Sequence, residues 1–556
     1  MKLKGAEIIV KCLLEQKVDC VFGYPGGQII DTFDALYRLG GDIRQILTAH
    51  EQGATHAADG YARATGKTGV VIATSGPGAT NLVTGIATAY MDSVPLVAIT
   101  GNVPVSLLGR DSFQEVDIAG VTMPITKHNY IVKDVRELAP TLREAFRIAA
   151  SGRPGPVLVD VPKNVQQAET EYTEAEIEKP VHKLREQDMS AAIGIINSAK
   201  RPYLYIGGGV ISSGAGAEVA ALAEKLGAPI ASSAMGLGAV PTSHPNYMGL
   251  IGMHGHKGVA RTLGKSDALI AIGARFSDRV AGNRTGFMKN ARIVHIDIDA
   301  AEIDKNVASH AHITGDVKTV LNRILPLIKP SSDKNWLAQV RQENDKYPLE
   351  DSGYALCPRA ILRAVNKLKT PDTVIATDVG QHQMFAAQTI NFDKPRTWLS
   401  SGGLGTMGYG MGAAIGGAMG SGKPVVLITG DGSFHMNMNE LVTASKLGLP
   451  ITVLIFNNHT LGMVRQWQTL FYGRRYSSTT LQLPTDYVKL AEALGAKGMT
   501  LTRNEDIEDV LSKAMSAGTP VVVDCRIVEN EMVLPMIPPG KGMEDMIGSL
   551  SELEEN

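Results

Sequence analysis

Residues 425–462 read VVLITGDGSFHMNMNELVTASKLGLPITVLIFNNHTLG, and this stretch decides the fold class. It contains two short runs rich in valine and isoleucine, at 425–428 and 451–456, and turn-forming residues follow each run. Runs of this kind are typical of strands buried in a parallel sheet. The segment between the runs has the length of a helix with its loops, so the stretch predicts one strand–helix–strand unit.

Polar residues follow both predicted strands. The sequence GDGS at 430–433 follows the first strand, and Asn457 and Asn458 follow the second. Because neighbouring parallel strands end at the same edge of a sheet, the side chains of Asp431 and Asn458 are expected to lie close together. A carboxylate, an amide oxygen and a nearby backbone carbonyl form an all-oxygen set that suits Mg²⁺, with a diphosphate supplying further ligands. The plain alternative is a structural turn with an N-capping aspartate.

Similar apolar runs alternate with helical patterns along the whole chain, which predicts an α/β protein. Further examples lie at 70–73, 156–161, 203–206 and 268–272. Glycines cluster where these runs end, which is where doubly wound sheets bind ligands and where backbone N–H groups can meet phosphates.

Two charged segments with little periodicity, 167–186 and 331–353, are interpreted as linkers. They divide the chain into three predicted domains, 1–185, 186–345 and 346–556. The fold expected from this division is three doubly wound parallel-sheet domains.

The composition indicates a globular protein without a nucleic-acid or membrane partner. The chain has 556 residues, 44% hydrophobic and 20% charged, with a formal net charge of −2. A balanced charge argues against nucleic-acid binding, and no apolar run is long enough to predict a transmembrane helix. The N-terminal apolar residues are interrupted by charges, so an amphipathic helix is expected there and not a signal peptide. Four scattered cysteines without a CxxC pair suit a reducing compartment, and the cytoplasm is the predicted location.

The GDG-to-NN stretch resembles the thiamine-diphosphate motif shared by transketolases, pyruvate decarboxylases and acetolactate synthases. The resemblance implies that Asp431 and Asn458 bind the metal through their side chains and that Thr460 binds it through its carbonyl. Thiamine chemistry also needs a glutamate at the far end of the cofactor, to promote the aminopyrimidine tautomer required for loss of the C2 proton. The sequence offers Glu51, which lies before small residues and a helix predicted over Thr55–Ala64. A solvated carboxylate at a helix start is the alternative for Glu51.

The resemblance extends over nearly the whole chain and is closest to the acetolactate synthases, because of the run GMVRQWQ at 462–468. It implies a set of further residues that contact the thiamine cofactor: Val379, Gly380, Gln381, His382, Gly405, Met407, Gly430, Gly432, Ser433 and Met463. It also implies catalytic roles for Gln114 and Lys163, with Phe113, Lys163 and Trp467 at the substrate. Lys163 would attract a keto-acid carboxylate. For Met407 and Trp467, simple core packing is the alternative.

The middle third resembles the FAD-binding domain of the biosynthetic acetolactate synthases. The elements that carry this likeness are GGG at 207–209, GMHG at 252–255 and RFSDR at 275–279. The resemblance implies that Arg275 meets flavin phosphate or ribitol groups and that Asp297 and Asp316 accept hydrogen bonds from adenosine or ribose. The other implied flavin contacts are Arg153, Gly207, Gly208, Gly209, Met253, His254 and Gly273. The reaction has no net redox step, so the flavin would have a structural role.

The activity implied by the resemblance is the decarboxylating condensation of pyruvate with a second 2-keto acid. The product is 2-acetolactate from a second pyruvate, or 2-aceto-2-hydroxybutyrate from 2-ketobutyrate, in branched-chain amino-acid biosynthesis. A separate small regulatory subunit is implied as a partner, and so is a homodimer or dimer of dimers whose sites combine two chains. Three alternatives stay open: a pyruvate oxidase, a FAD-free catabolic acetolactate synthase, and a non-catalytic homologue.

Overall fold

The computed structural model describes residues 1–177, 189–549 and 552, apart from single gaps at 285, 332, 334 and 483. Three six-stranded parallel sheets follow one another along the chain, and helices flank each of them. The predicted α/β class with three doubly wound domains is therefore confirmed. The exact domain boundaries stay a prediction.

The first domain contains one six-stranded sheet and a small two-stranded sheet. The larger sheet has the strand order β3-β2-β4-β5-β7-β6, and β1 pairs with β8 in the smaller, antiparallel sheet. The strands are β1 Lys2–Lys4, β2 Cys20–Tyr24, β3 Arg44–Leu47, β4 Gly69–Ala73, β5 Leu96–Asn102, β6 His128–Ile131, β7 Pro156–Pro162 and β8 Glu169–Glu171. The helices are α1 Gly5–Glu15, α2 Ile30–Leu39, α3 Glu51–Thr65, α4 Pro77–Thr80, α5 Val83–Asp92, α6 Ile118–Thr122, α7 Leu138–Ala150 and α8 Lys163–Gln167.

The middle domain has a sheet of order β11-β10-β9-β12-β13-β14. Its strands are β9 Pro202–Ile206, β10 Ile230–Ser232, β11 Tyr247–Leu250, β12 Ala268–Ile272, β13 Arg292–Asp297 and β14 Ala311–Thr314. Its helices are α9 Met189–Ser198, α10 Gly208–Ser213, α11 Gly216–Leu226, α12 Lys257–Leu263, α13 Val317–Ile324 and α14 Trp336–Asn344. Apolar clusters lie on both faces of the sheet, as a doubly wound fold requires.

The third domain has a sheet of order β16-β15-β17-β18-β20-β19. Its strands are β15 Val374–Thr377, β16 Trp398–Leu399, β17 Val425–Gly430, β18 Ile451–Asn457, β19 Lys497–Leu501 and β20 Val521–Arg526. Its helices are α15 Pro358–Leu368, α16 Gln381–Thr389, α17 Gly410–Ser421, α18 Asp431–Asn437, α19 Glu440–Lys446, α20 Gly462–Phe471, α21 Tyr487–Ala493 and α22 Ile507–Met515.

The first and third sheets share one topology, and the middle sheet has another. With the strands of each six-stranded sheet counted from its own first strand, the order is 2-1-3-4-6-5 in the first and third domains. In the middle domain it is 3-2-1-4-5-6, the order of dinucleotide-binding sheets. The outer domains are thus two copies of one architecture around a dinucleotide-type domain.

Helices α3 and α17 join the first and third domains within one chain. Their facing surfaces are rich in glycine and alanine, so the two backbones approach closely. A methyl group on Gly416 would overlap the carbonyl of Ala57 and would lie 2.7 Å from the backbone N of Tyr61. Side chains of both domains consequently belong to one apolar cluster, which includes Tyr61 and Ile415.

The structure differs from the expected linkers. Residues 336–344 of the predicted linker 331–353 form helix α14, because the indole of Trp336 is buried and donates to the carbonyl of Pro202 over 2.9 Å. In the predicted linker 167–186, residues 169–171 form strand β8, and residues 178–186 lie outside the described part of the chain. Among the helices that the structure describes, none has the length and apolar character needed to cross a membrane.

Candidate active site

One large cleft lies at the carboxyl ends of the strands of the middle and third sheets. Its volume is about 1570 Å³, and residues of all three domains line it. The cleft contains every cofactor-contact residue predicted in the middle and third domains, together with Arg153 of the first domain and Trp467. The full set is Arg153, Gly207, Gly208, Gly209, Met253, His254, Gly273, Arg275, Asp297, Asp316, Val379, Gly380, Gln381, His382, Gly405, Met407, Gly430, Asp431, Gly432, Ser433, Asn458, Thr460, Met463 and Trp467.

Asp431 and Asn458 follow the neighbouring parallel strands β17 and β18, as the sequence predicted. Oδ1 of Asp431 accepts from the backbone N of Gly432 over 3.0 Å, whereas Oδ2 is buried and has no protein partner. Burial raises the pKa of Asp431 to about 7. A buried carboxylate oxygen without a partner is costly unless a ligand satisfies it. The oxygen therefore fits a cation held in the cleft.

The loop after β18 presents an oxygen-rich edge toward the same part of the cleft. Oδ1 of Asn458 accepts from the backbone N of Thr460 over 3.1 Å. His459 between them adopts a left-handed backbone with φ of +57°, and Leu481 N donates to its carbonyl over 2.8 Å. Within the described residues, no group of three His, Cys, Asp or Glu side chains could hold a metal. A cation here would therefore combine Asp431 with amide and carbonyl oxygens, a hard donor set suited to Mg²⁺.

Two helices begin at the same edge of the third sheet and direct backbone N–H groups toward the cleft. Helix α16 begins at Gln381 after Gly380, and Ser433 in α18 ties the two helices together by donating to the carbonyl of Val379 over 3.0 Å. His382 is buried with Nε2 unpartnered, and burial lowers the pKa of its imidazole to about 3. The backbone N–H groups at the two helix N-termini suit a phosphate.

The side chain of Gln381 makes hydrogen bonds mainly to other protein groups. Its Nε2 donates to Oε1 of Gln466 over 2.9 Å and to the carbonyl of Glu531 over 2.7 Å. Its Oε1 lies 3.4 Å from Nδ2 of Asn458. Gln466 was not singled out from the sequence, because its partners are far away along the chain. In this structure Gln381 therefore links α20 and the C-terminal segment to the loop of Asn458.

The middle domain offers a dinucleotide crevice where its strand order reverses. Gly207 follows β9 and Gly273 follows β12, and these strands are neighbours at the switch point of the sheet. Asp297 ends β13, and burial raises the pKa of its carboxyl to about 6. Asp316 caps helix α13 by accepting from the backbone N of Thr319 over 2.9 Å. Glycines near a crevice with carboxylates at its edge suit phosphate and ribose groups.

Arg153 and His254 complete the edge of this crevice. Arg153 donates to Oε1 of Glu302 over 2.7 Å and to Oγ of Ser93 over 2.8 Å, so it joins the first domain to the middle one. His254 is half-buried, its buried Nδ1 has no protein partner, and desolvation lowers its pKa to about 4. Both residues line the cleft.

Glu51, Phe113, Gln114 and Lys163 belong to the first domain and do not line the cleft of Asp431. Nδ2 of Asn81 donates to Oε2 of Glu51 over 2.9 Å. A methyl group on Gly78 would lie 3.3 Å from Oε1 of Glu51, and one on Gly76 would lie 2.8 Å from the carbonyl oxygen of Gln114. Glu51 and Gln114 therefore flank the same short turn.

Phe113 and Lys163 are the other two of these first-domain residues. The ring of Phe113 is 84% exposed, and Gln114 beside it has a strained left-handed backbone with φ of +58°. Nζ of Lys163, at the end of β7, donates to the carbonyl of Gly27 over 2.8 Å. The helix predicted from Thr55 begins instead at Glu51, because His50 caps it by accepting from the backbone N of Gln52.

A buried ionic cluster holds the loop that carries Gly405 and Met407. Asp92 accepts from the backbone N of Gly402 over 3.0 Å and from that of Gly403 over 2.7 Å. Arg63 donates to Asp92 over 2.9 Å. No local pattern indicates this cluster, since Asp92 and the loop lie in different domains. The contact fixes one wall of the cleft.

Three family models match the chain in the order of its domains. The N-terminal TPP binding domain of thiamine pyrophosphate enzymes matches residues 3–121, the central domain matches residues 189–324, and the C-terminal TPP binding domain matches residues 378–525. Together with the cleft, these matches define the class: the chain is a thiamine-diphosphate-dependent enzyme.

Individual relatives show which family within this class the chain resembles. The acetolactate synthase large subunit of Corynebacterium glutamicum is 46% identical over 98% of this chain and 90% of its own length. That of Haemophilus influenzae is 43% identical over the full length of both proteins. The acetolactate synthase isozyme 3 large subunit of Escherichia coli is 42% identical over 99% of each. The chain belongs to the acetolactate synthase large subunit family.

Proposed function

We propose that this chain catalyses the decarboxylating condensation of pyruvate with a second 2-keto acid. The product is 2-acetolactate, or 2-aceto-2-hydroxybutyrate when 2-ketobutyrate is the acceptor. The observation that carries the proposal is the unpartnered, buried Oδ2 of Asp431, which faces the cleft beside two helix N-termini. Membership of the acetolactate synthase family supports the choice of reaction. Its place would be in branched-chain amino-acid biosynthesis.

Asp431, Asn458 and the carbonyl of Thr460 would hold Mg²⁺, and the N-termini of α16 and α18 would meet the diphosphate. When bound, thiamine diphosphate supplies the electron sink that decarboxylation of a 2-keto acid needs. Met407 lines the same cleft and would support the cofactor from one side. His382 would lie beside the diphosphate in the same cleft.

Glu51 would exchange a proton with the aminopyrimidine end of the cofactor, and this role supports a site made by two chains. In one chain Glu51 does not line the cleft that Asp431 lines. A single cofactor must nevertheless reach both carboxylates. A two-fold dimer in which the first domain of one chain faces the third domain of its partner would provide two such sites.

The middle domain would bind FAD. Its strand order and the glycines at its switch point support a dinucleotide, with Arg275 at the phosphate or ribitol groups. Asp297 and Asp316 would accept hydrogen bonds from adenosine or ribose. Since the condensation involves no net electron transfer, the flavin would act as a structural element.

The substrate residues are assigned to the two parts of each site, one from the third domain of one chain and one from the first domain of its partner. Trp467 lines the cleft and would limit the size of the acceptor keto acid. Phe113, Gln114 and Lys163 would come from the facing first domain, where the cation of Lys163 would attract a keto-acid carboxylate. The large exposed fraction of Phe113 supports its burial against a partner chain.

A small regulatory subunit is proposed as a partner, because the relatives are named large subunits. The assembly of the large subunits is proposed to be a dimer or a dimer of dimers. A cytoplasmic location remains the prediction from the sequence. All four cysteines are buried and unpaired, which suits a reducing compartment.

The decisive experiment is an assay for acetolactate from pyruvate with Mg²⁺, thiamine diphosphate and FAD, each omitted in turn. Acetolactate formation that needs thiamine diphosphate and Mg²⁺, in a yellow protein whose flavin stays oxidised, would support the proposal. Flavin reduction by pyruvate with acetyl phosphate or acetate as product would indicate a pyruvate oxidase. A colourless active protein would indicate the FAD-free catabolic enzyme, and no turnover would indicate a non-catalytic homologue.

A further inference from the structure

A buried carboxylate of the third domain holds the start of the helix that carries Glu51. Glu440 is the first residue of α19 and is fully buried. Its Oε1 accepts from the backbone N of His50 over 2.9 Å, and both of its oxygens lie 3.1 Å from the backbone N of Ala49. Its Oε2 also accepts from Oγ1 of Thr443 over 2.7 Å. Ala49 and His50 directly precede Glu51, so the contact reaches across domains to the residues adjoining that glutamate.

The residues around Glu440 leave space for its side chain and supply its hydrogen-bond donors. A methyl group on Gly53, in the first turn of α3, would lie 2.6 Å from Cγ of Glu440, so only a glycine leaves room for the side chain. Burial raises the pKa of Glu440, and the hydrogen bonds from Thr443, Ala49 and His50 oppose that shift. A carboxylate that accepts unpaired N–H groups at a helix start also interacts favourably with the helix dipole.

We propose that Glu440 is a positioning residue that fixes the N-terminus of α3 and thereby sets the carboxylate of Glu51. This inference rests on the proposed role of Glu51 in proton exchange with the cofactor. In the described part of the chain, Glu440 does not line the cleft and has no hydrogen bond to the side chain of Glu51, so it would act through the two backbone N–H groups before Glu51. Small displacements of a reacting group are costly, since a shift of about 1 Å can reduce a rate by ~10²-fold.

The same contact would join the two sites of a dimer. Helix α18, which begins at the proposed metal ligand Asp431, ends at Asn437, and Glu440 opens the next helix. If Glu51 of one chain serves the cofactor held by Asp431 of its partner, Glu440 connects one site to the other within a single chain.

The rival explanation is that Glu440 only stabilises the contact between the first and third domains. Three variants separate the two roles. Glu440→Gln keeps the size of the side chain but places an amide against backbone donors. Gly53→Ala disturbs the same contact from the first domain. Arg44→Ala is the control, because Nη1 of Arg44 donates to the carbonyl of Met419 across the same pair of domains, away from the N-terminus of α3.

The test measures how fast the C2 proton of bound thiamine diphosphate exchanges with deuterium, alongside cofactor affinity. Glu440→Gln and Gly53→Ala are expected to slow the exchange ~10–100-fold with affinity little changed, whereas Arg44→Ala leaves it as in the wild type. In the cofactor-free protein, amide hydrogen exchange at residues 48–53 is expected to be faster in both variants. The slowing of C2 exchange should vanish in a Glu51→Gln background. The reason is that the effects of two substitutions do not add when one residue acts through the other.

Three outcomes would overturn the inference. Unchanged C2 exchange in folded Glu440→Gln and Gly53→Ala proteins would reduce Glu440 to a structural contact. Equal slowing in the Glu51→Gln background would show that Glu440 does not act through Glu51. If Glu51→Gln itself exchanges like the wild type, the proposed role of Glu51 fails first, and this inference fails with it. Should Glu440→Gln not fold, Gly53→Ala and Thr443→Val carry the same comparison.

Discussion

Nδ2 of Asn81 donates to Oε2 of Glu51 over 2.9 Å, and this is the one side-chain hydrogen bond that the structure shows for the Glu51 carboxylate among the described residues. The other oxygen, Oε1, lies beside Gly78. One oxygen of Glu51 is therefore held by the first domain, which leaves the other to a ligand that approaches over the turn at residues 76–78.

Glu51→Gln is expected to preserve the fold and cofactor binding while it reduces the turnover number ~10²–10⁴-fold, the usual effect of losing a positioned proton-transfer group. Steady-state acetolactate formation and a cofactor titration measure the two quantities. Glu174→Gln, on an exposed segment of the same domain, is the matched control. Activity of Glu51→Gln within a few-fold of the wild type would show that another carboxylate has this role.

Asp431→Ala is expected to abolish Mg²⁺-dependent binding of thiamine diphosphate without destabilising the cofactor-free protein. The reason is that Oδ2 of Asp431 is buried and unpartnered, so removing the carboxylate relieves a desolvation cost. Cofactor at ~100 times its dissociation constant should stabilise the wild type by ~2.7 kcal/mol and the variant by nothing. Thermal unfolding with and without Mg²⁺ and cofactor checks this. A cofactor-dependent shift that survives in Asp431→Ala contradicts the assignment.

Trp467→Leu is expected to change the ratio of the two condensation products more than the rate of pyruvate decarboxylation. A smaller side chain leaves room for an ethyl group, and one methylene in a pocket is worth ~1–3 kcal/mol. Competition between pyruvate and 2-ketobutyrate measures the ratio. Phe471→Leu is the matched control, since its ring packs edge-on against Trp467 at 5.6 Å but does not line the cleft. An equal shift in both variants would count against a direct role of the indole.

Gly209→Val is expected to lose the flavin while thiamine diphosphate still binds. A methyl group on Gly209 would already lie 2.7 Å from Cα of Gly273, at the switch point of the middle sheet. Gly194→Ala in α9 is the control, because a methyl group there meets no atom within 4 Å. Flavin absorbance of the purified proteins gives the readout. Full flavin content in Gly209→Val would show that the dinucleotide does not bind in this crevice.

A mixed dimer of a Glu51→Gln chain and an Asp431→Ala chain is expected to regain activity. One of its two sites contains both substituted residues and the other contains neither, so the purified heterodimer should have about half the wild-type activity. Two different tags allow the heterodimer to be isolated. The reciprocal pairing, a wild-type chain with a doubly substituted chain, should be inactive because each site then has one lesion. The opposite pattern would place both residues within one chain.

The amino-acid sequence alone determined the local chemistry of this protein. A strand–helix–strand unit is a contiguous segment, so the side chains that follow its strands meet at one sheet edge whatever the rest of the chain does. For this reason the proximity of Asp431 and Asn458 could be predicted, and so could the glycine-rich crevice after β9 and the separation into three parallel sheets. Family likeness added the names of the cofactors, which periodicity by itself does not contain.

Tertiary structure decided what depends on distant parts of the chain. Helix α14 forms in a segment that looked like a linker, because burial of Trp336 outweighs weak local periodicity. Helix α3 begins at Glu51, earlier than predicted, with Glu440 of another domain accepting the N–H groups just before it. Within one chain Glu51 does not line the cleft of Asp431, although α3 packs against α17 of the third domain. Such contacts have no signature in a local pattern, since they join residues that only the folded backbone brings together.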